Sequence, residues 1–201
     1  MQVEQAIASR RSLRRFDPRP VDAVTISELV TLACAAPAPH HSRPWRFVHV
    51  ASPEARERLI AAMLEAWRAE LQAERHQPAE IDKLSERSRR QLAGAPALLL
   101  ACLSLDTARP WPDARRRLAE RDMYVQSLGA ALQNLLLAAH ARGLSGYLKG
   151  APLFCPDGVR SALSLPQSWE PAFLVILGYP VSGSTPPPRT PALPHEVLIE
   201  R

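Results

Sequence analysis

Ala97–Leu103 is an unbroken apolar run of strand length, and Ala172–Leu177 is a second. Runs of this length with no polar face read as buried strands. Trp45–Val50 is a third strand by its aromatic and β-branched content, and Ser145–Leu148 a short fourth. Helical text lies between them. Val3, Ala6 and Ile7 have helical spacing. Thr25-x-x-Glu28 has the pattern of a capping box, opening a helix that runs to about Ala36 and is stopped by Pro37 and Pro39. Ser52 reads as an N-cap with Pro53 at the first helical position, and that helix continues through Leu71. A polar break follows over 72–80, then a more polar helix from Ile81 to Leu92. A long helix ends at Gly143, a C′ glycine, and a short one covers Asp157–Leu163. The order predicts an α+β sandwich with about four core strands, not a regularly alternating nucleotide-binding sheet.

A chain of 201 residues with 46% apolar and 22% charged residues is expected to be one domain, 1–201. Bulk disorder, collagen and coiled coil are excluded by that mix. The helical stretch 53–93 reads as an excursion over the main body, a lid. The tail, 181–201, is rich in Pro, Ser and Thr, cannot form a core of its own, and is either disordered or an arm laid across a partner. The start has no apolar h-region, so no signal peptide is expected. The apolar stretch Tyr124–Ala141 is interrupted by Gln126, Ser127, Gln133, Asn134 and His140, which makes it a buried helix and not a membrane span. Cys34, Cys102 and Cys155 are scattered without a CxxC pair, which fits a reduced cytoplasmic setting and no zinc site.

The net charge of +5 suits an anionic ligand, such as a phosphate-bearing cofactor, or nucleic acid. No basic strand interleaved with aromatics is present, which disfavours a nucleic-acid module. Arg10-Arg11-Ser12-x-Arg14 is either favourable charge at a helix C-terminus or a phosphate cradle, because guanidinium forks match phosphate oxygens and a hydroxyl adds a donor. Ala36–Trp45 is a Pro-braced loop carrying His40, His41 and Arg43. Adjacent histidines in extended chain point to opposite faces, so a shared metal is not expected. Lys149-Gly150 ends a short strand, and the glycine permits close backbone approach by a ligand. Asp106, Asp113, Glu120 and Asp122 are read as caps and solvated helix charges.

Taken together these segments resemble the FMN-dependent nitroreductase family over nearly the whole chain. The family's Arg-x-Ser-x-Arg/Lys motif matches Arg10-x-Ser12-x-Arg14, followed by Phe16. Its Ala-Pro…Pro-Trp loop matches Ala36–Trp45, with His41 where Asn and Arg43 where Gln is usual. Its Leu-Pro…Glu-Pro…Gly-Tyr-Pro pattern matches Leu165-Pro166, Glu170-Pro171 and Gly178-Tyr179-Pro180, and Arg189 follows in the arm. The His-His-x-Arg-Pro version of the loop, with Trp111–Ala114 and Trp169, is similar to one branch: the reductase domain that accompanies the gamma-glutamyl ligase of coenzyme F420 biosynthesis. No ligase domain lies in this chain, so glutamate addition is not expected of it.

The resemblance implies a nitroreductase-like α/β sandwich with a central antiparallel-type sheet and a C-terminal arm crossing to a dimer partner. It implies a homodimer with FMN between the subunits, the long helix supplying Gly129, Ala130, Ala131, Leu135 and Leu136 to the interface. Arg10, Arg11, Ser12, Arg14 and Arg189 would hold the phosphate. His41 and Arg43 would lie near the ring, and Lys149-Gly150 would face its N5 side. His40 and Arg68 would meet substrate, whereas Met63 and Trp67 read as a helix packing face. The implied reaction is reduction of the C=C bond of dehydro-F420-0 to F420-0, the acceptor being an F420-type deazaflavin precursor. A general NAD(P)H-dependent nitroreductase or flavin reductase is the alternative.

Overall fold

The structure, a computed structural model, describes residues 1–184, 188 and 193–201. Its elements are α1 (Val3–Ser9), α2 (Ala23–Ala33), β1 (Trp45–His49), α3 (Pro53–Ala73), α4 (Pro78–Ala93), β2 (Ala97–Ser104), α5 (Ala114–Ala141), β3 (Ser145–Lys149), α6 (Pro156–Leu163), β4 (Trp169–Gly178) and α7 (Pro194–Val197). Short 3-10 turns cover Pro39–His41 and Ala151–Phe154. The four strands form one antiparallel sheet, as the resemblance implied, and their order is β1-β2-β4-β3.

All eight residues of β2 are buried, because the sheet is covered on both faces. Side chains alternate across a strand, so β2 and β4 feed two cores at once. Leu99, Ala101, Leu103, Val175 and Leu177 pack with Leu29, Leu132 and Leu135 of α2 and α5. Leu98, Leu100, Leu174 and Ile176 pack with Leu59, Ile60, Met63, Leu92 and Val159 of α3, α4 and α6. No helix among the described residues is long and apolar enough to cross a membrane.

Several local expectations hold. Ser52 caps α3, accepting from the Ala55 N–H at 3.1 Å, with Pro53 in its first turn. Gly143 (φ 77°) ends α5 in a Schellman arrangement: its N–H donates to the His140 carbonyl and that of Leu144 to the Ala139 carbonyl, both at 3.0 Å.

Others are corrected. The cap of α2 is Asp22, not Thr25: its carboxylate accepts the Thr25 N–H at 2.8 Å and the Thr25 hydroxyl at 2.7 Å. A carboxylate one turn earlier outcompetes the Thr hydroxyl, and Glu28 is left to pair with Arg142. Helix α4 begins at Pro78, three residues before the apolar pattern becomes visible. The helical pair 53–93 does not lie over the body as a separate lid. Its base supplies Leu59, Ile60, Met63 and Leu92 to the second core, and Leu71 and Ile81 are buried farther along the pair. Ala131, Leu135 and Leu136 of α5 are spent in this chain's own core, whereas Met123, Val125 and Gly129 are exposed.

The N-terminal segment is fastened to the end of β4. Phe16 forms a β-bridge with Pro180, and the Asp17 N–H donates to the Tyr179 carbonyl at 2.9 Å. The Phe16 ring stacks on Tyr147 of β3, centroids 6.3 Å apart. A Cβ on Gly178 would sit 2.8 Å from both the Phe16 ring and Pro96, so only glycine admits this contact without a shift.

Gly178→Ala is expected to cost about 1–3 kcal/mol of stability by overpacking, read as a lower urea midpoint. A second expectation concerns the α3–α4 connection, where hydrogen bonding to Glu80, aided by Glu74, holds the His76 imidazolium above its ordinary pKa. A raised folded pKa gives stability that is present below about 6.5 and lost as pH rises through the folded value. Hydrogen-exchange protection at this connection, taken relative to the base-catalysed intrinsic rate at each pH, should therefore be greater at pH 6 than at pH 8, and His76→Asn should abolish that difference in protection.

Candidate functional site

Three groups of polar side chains stand out against this scaffold. The first is the basic segment after α1. The helix stops at Arg10, whose backbone turns extended (φ −57°, ψ 132°). Arg11 Nη1 donates to the carbonyls of Ala8 at 2.7 Å and Arg10 at 2.9 Å, the helix-end role anticipated for it. Its Nε is buried with no hydrogen-bond partner among the described residues. Ser12 and Arg14 are exposed, and the Arg14 guanidinium lies 5.3 Å over the Tyr147 ring. Beside them His140 of α5 shares a 2.7 Å hydrogen bond with the Ser9 hydroxyl. Burial, then the charges of Arg10 and Arg11, push the His140 pKa below its ordinary value. Both causes disfavour the charged imidazolium beside the two guanidiniums. The result is a basic segment that Phe16 pins in place.

The second group is the loop before β1. His40 (φ 52°), His41 (φ 55°) and Arg43 (φ 48°) all occupy the left-handed region. The extended chain assumed for the two histidines is therefore replaced by a tight left-handed turn. Such residues cost roughly 1–2 kcal/mol each and persist only where the surroundings enforce them. Here the Trp45 indole N–H donates to Cys34 Sγ at 3.2 Å, and the Thr107 hydroxyl donates to the Ser42 carbonyl at 3.4 Å. Buried Pro44 closes the loop. His40, His41 and Arg43 themselves are exposed. A groove of about 320 Å³ separates Pro37–Pro39 from Met123, Gln126, Ser127 and Ala130 of α5.

The third group surrounds Lys149 at the end of β3. Its Nζ donates to the Ser88 hydroxyl of α4 at 2.6 Å and lies 6.0 Å from the Trp67 ring centroid. Desolvation pushes its pKa down. It faces a cavity of about 270 Å³ between α3, α4 and the Ala151–Phe154 turn. Gly150 has an ordinary backbone (φ −82°, ψ 8°), and a Cβ there would make ordinary contacts with Phe173 at 3.5 Å and Leu153 at 3.7 Å. Neither conformation nor interior packing requires glycine at this position.

One chain does not gather these groups. The loop lies beside Met123–Ala130 and the basic segment beside His140, so Ser127 and His140 are about 20 Å apart along α5 at 1.5 Å per residue. The loop enters β1, one edge of the sheet, whereas Lys149 ends β3, the other edge, about 14 Å away across three strand spacings. Arg189 lies outside the described residues. Arg68 is turned to Asp82 of α4 at 2.7 Å, away from the Lys149 cavity, and it is Trp67 that lines the cavity wall. Ser88 carried no signal, being one serine in a polar helix. Glu120 is not a solvated helix charge: it is buried and accepts from the Arg109 N–H at 3.0 Å and the Trp111 indole at 3.1 Å. Asp113 does cap α5, accepting from the Arg116 N–H at 2.9 Å. Asp106 anchors the loop after β2, its pKa held low by hydrogen bonds from Ser168 and Ser104.

Comparison with known proteins adds a relationship. The model of the nitroreductase family matches residues 7–179. A Methanothermobacter thermautotrophicus protein assigned as an NADH dehydrogenase/NAD(P)H nitroreductase is 28% identical over 182 residues, 90% of this chain and 78% of that protein. A BluB-like flavoprotein from Clostridium difficile superposes with a TM-score of 0.80 at 19% identity, over 100% of this chain and 99% of the other. The FMN-dependent nitroreductase NfnB from Mycobacterium smegmatis, solved with NADPH, gives a TM-score of 0.72 at 21% identity, over 98% of this chain and 97% of the other.

Arg43 has an exposed side chain on a strained backbone, so Arg43→Gly is expected to raise stability by about 1 kcal/mol in urea unfolding. No gain would mean that the side chain supports the fold.

Proposed function

Because the chain belongs to the nitroreductase family, we propose that it is an FMN-dependent oxidoreductase acting as a homodimer with the flavin between two copies. The observation that carries this reading is the pinned basic segment. Three arginines and a serine lie within five residues, and the Arg11 Nε is buried without a hydrogen-bond partner among the described residues. A phosphate monoester would supply the acceptor that this Nε lacks. Arg10, Arg11, Ser12 and Arg14 would hold the FMN phosphate, with Arg189 added from the arm. Gly150 presents bare backbone where a ring could approach, which accounts for a glycine that packing does not demand. Bound FMN would supply the two-electron redox chemistry. Arg43 would offer a cation to the ring region, where charge accumulates on reduction. His40 and His41 would bind an acidic substrate or give it a proton.

Two copies are needed for these groups to meet. The loop and the basic segment lie far apart along α5, and a second copy related by a two-fold axis would bring its own His41 and Arg43 toward this copy's cradle. Exposed Val3 and Ile7 of α1 and Met123 and Val125 of α5 give the apolar surface such a pair would bury. NAD(P)H is the proposed donor, in line with NfnB, solved with NADPH. The proposed setting is cytoplasmic, in keeping with three free thiols.

For the acceptor, the His40-His41-x-Arg43 loop favours the C=C bond of dehydro-F420-0. The second reading, a general nitroreductase, is favoured by the Methanothermobacter relative. Turnover of dehydro-F420-0 against a nitroaromatic under NADPH separates the two: exclusive nitroaromatic reduction would remove the deazaflavin precursor.

Arg14→Ala should weaken FMN binding at least tenfold in a fluorescence titration while changing stability by less than about 1 kcal/mol. Gly150→Ala should fold normally and lose FMN affinity. Unchanged affinity in both variants would sink the cofactor assignment. Removal of residues 186–201 should lower both flavin content and dimer mass in light scattering.

A further inference from the structure

The Lys149 cavity carries a ligand inference of its own, because it exists in the chain whether or not a flavin binds. Lys149 is an ammonium largely withdrawn from water, and among the described residues no carboxylate pairs with it within 4.0 Å. An ammonium has three N–H donors, and the Ser88 hydroxyl takes one. For the others no hydrogen-bond partner is present among the described residues, and Lys149 lines the cavity. Burying a charge without partners is costly, so an acceptor brought by a ligand would be bound strongly. The remaining walls are mostly apolar: Met63, Leu92, Ala151 and two aromatic rings, Trp67 and the outward-lying Phe154. The polar lining beyond Lys149 and Ser88 is Glu70, exposed at the rim, and the Cys155 thiol, whose pKa burial pushes up and which is therefore not a nucleophile poised for reaction.

We propose that this cavity binds a small planar aromatic monoanion, its carboxylate or phenolate oxygen on the Lys149 ammonium and its ring against Trp67. The volume, about 270 Å³, admits a substituted single ring. The aromatic walls select a flat apolar body. The carboxylate of Glu70 at the rim repels a second negative group on the outer end of the ligand, which restricts the class to one anionic group directed inward. Arg68, engaged with Asp82, contributes nothing to the charge here, so specificity for the anion rests on Lys149.

The test is calorimetric titration of the full chain, carrying whatever flavin it retains, with 4-methylbenzoate and with uncharged 4-methylbenzamide. Trp fluorescence and flavin absorbance are followed in parallel. The anion should bind at least tenfold tighter than the amide. Lys149→Met should abolish that preference, and Lys149→Arg, which keeps the charge, should retain it. Trp67→Phe should remove most of the ligand-induced fluorescence change while the heat of binding persists. Equal affinity for acid and amide, or a preference that survives Lys149→Met, would overturn the inference. Release of flavin by 4-methylbenzoate would also overturn it, by making the cavity part of the cofactor site. Binding that leaves the flavin band unchanged supports a separate ligand pocket. FMN affinity measured on the same variants reports the cofactor reading independently.

Discussion

Phe16 lying on Gly178 is the contact on which the arrangement of charge depends. The basic segment has no regular structure after α1 and would be a mobile cationic thread without an anchor. The ring is received between Gly178, Pro96 and Tyr147, and the neighbouring backbone is tied by the Phe16–Pro180 bridge and the Asp17–Tyr179 hydrogen bond. Arg19 stacks 3.5 Å over Tyr179, adding a second hold. Arginines that would otherwise sample many rotamers are thereby delivered to one end of the sheet, and the ordering entropy is met by apolar burial and not by the ligand.

The sandwich decides where polar chemistry can occur. Central strands β2 and β4 are apolar on both faces, so the middle of the sheet offers nothing to a ligand. Polar side chains are pushed to strand ends and edges: Lys149 at the end of β3, and the loop of His40 to Arg43 at the start of β1. Since β1 and β3 are opposite edges, the chain divides its polar groups into two sets. That division is the physical ground for expecting a second copy to complete the site.

The cationic groups differ in character. Burial and two guanidiniums oppose protonation of His140 and push its pKa down. Lys149 is largely withdrawn from water, and desolvation pushes its pKa down. Arg14 and Arg43 are exposed to water. Exposed arginines suit recognition of a charged ligand arriving from solvent, whereas the enclosed lysine suits a ligand that leaves water behind.

Signals that act within a few residues were legible in the sequence. Ser52-Pro53 and Gly143 set helix ends because caps depend on local backbone groups, and the apolar runs set β2 and β4 because burial on two faces leaves no room for polar alternation. The basic Arg10–Arg14 segment and the Pro-braced loop were visible as candidates by residue type, but the loop's left-handed turn was not. What the amino-acid order could not decide was competition and long-range pairing. Asp22 displaced Thr25 as a cap, Glu120 went inside to meet Trp111, and Arg68 was taken by Asp82 so that Trp67 faced the cavity. The base of the 53–93 pair became a core wall because the second face of the sheet required cover. Caps and strands were settled by neighbours along the chain; the partners of Lys149, Arg68 and Glu120 were settled by which surfaces the packed layers brought within reach, and no periodicity encodes that.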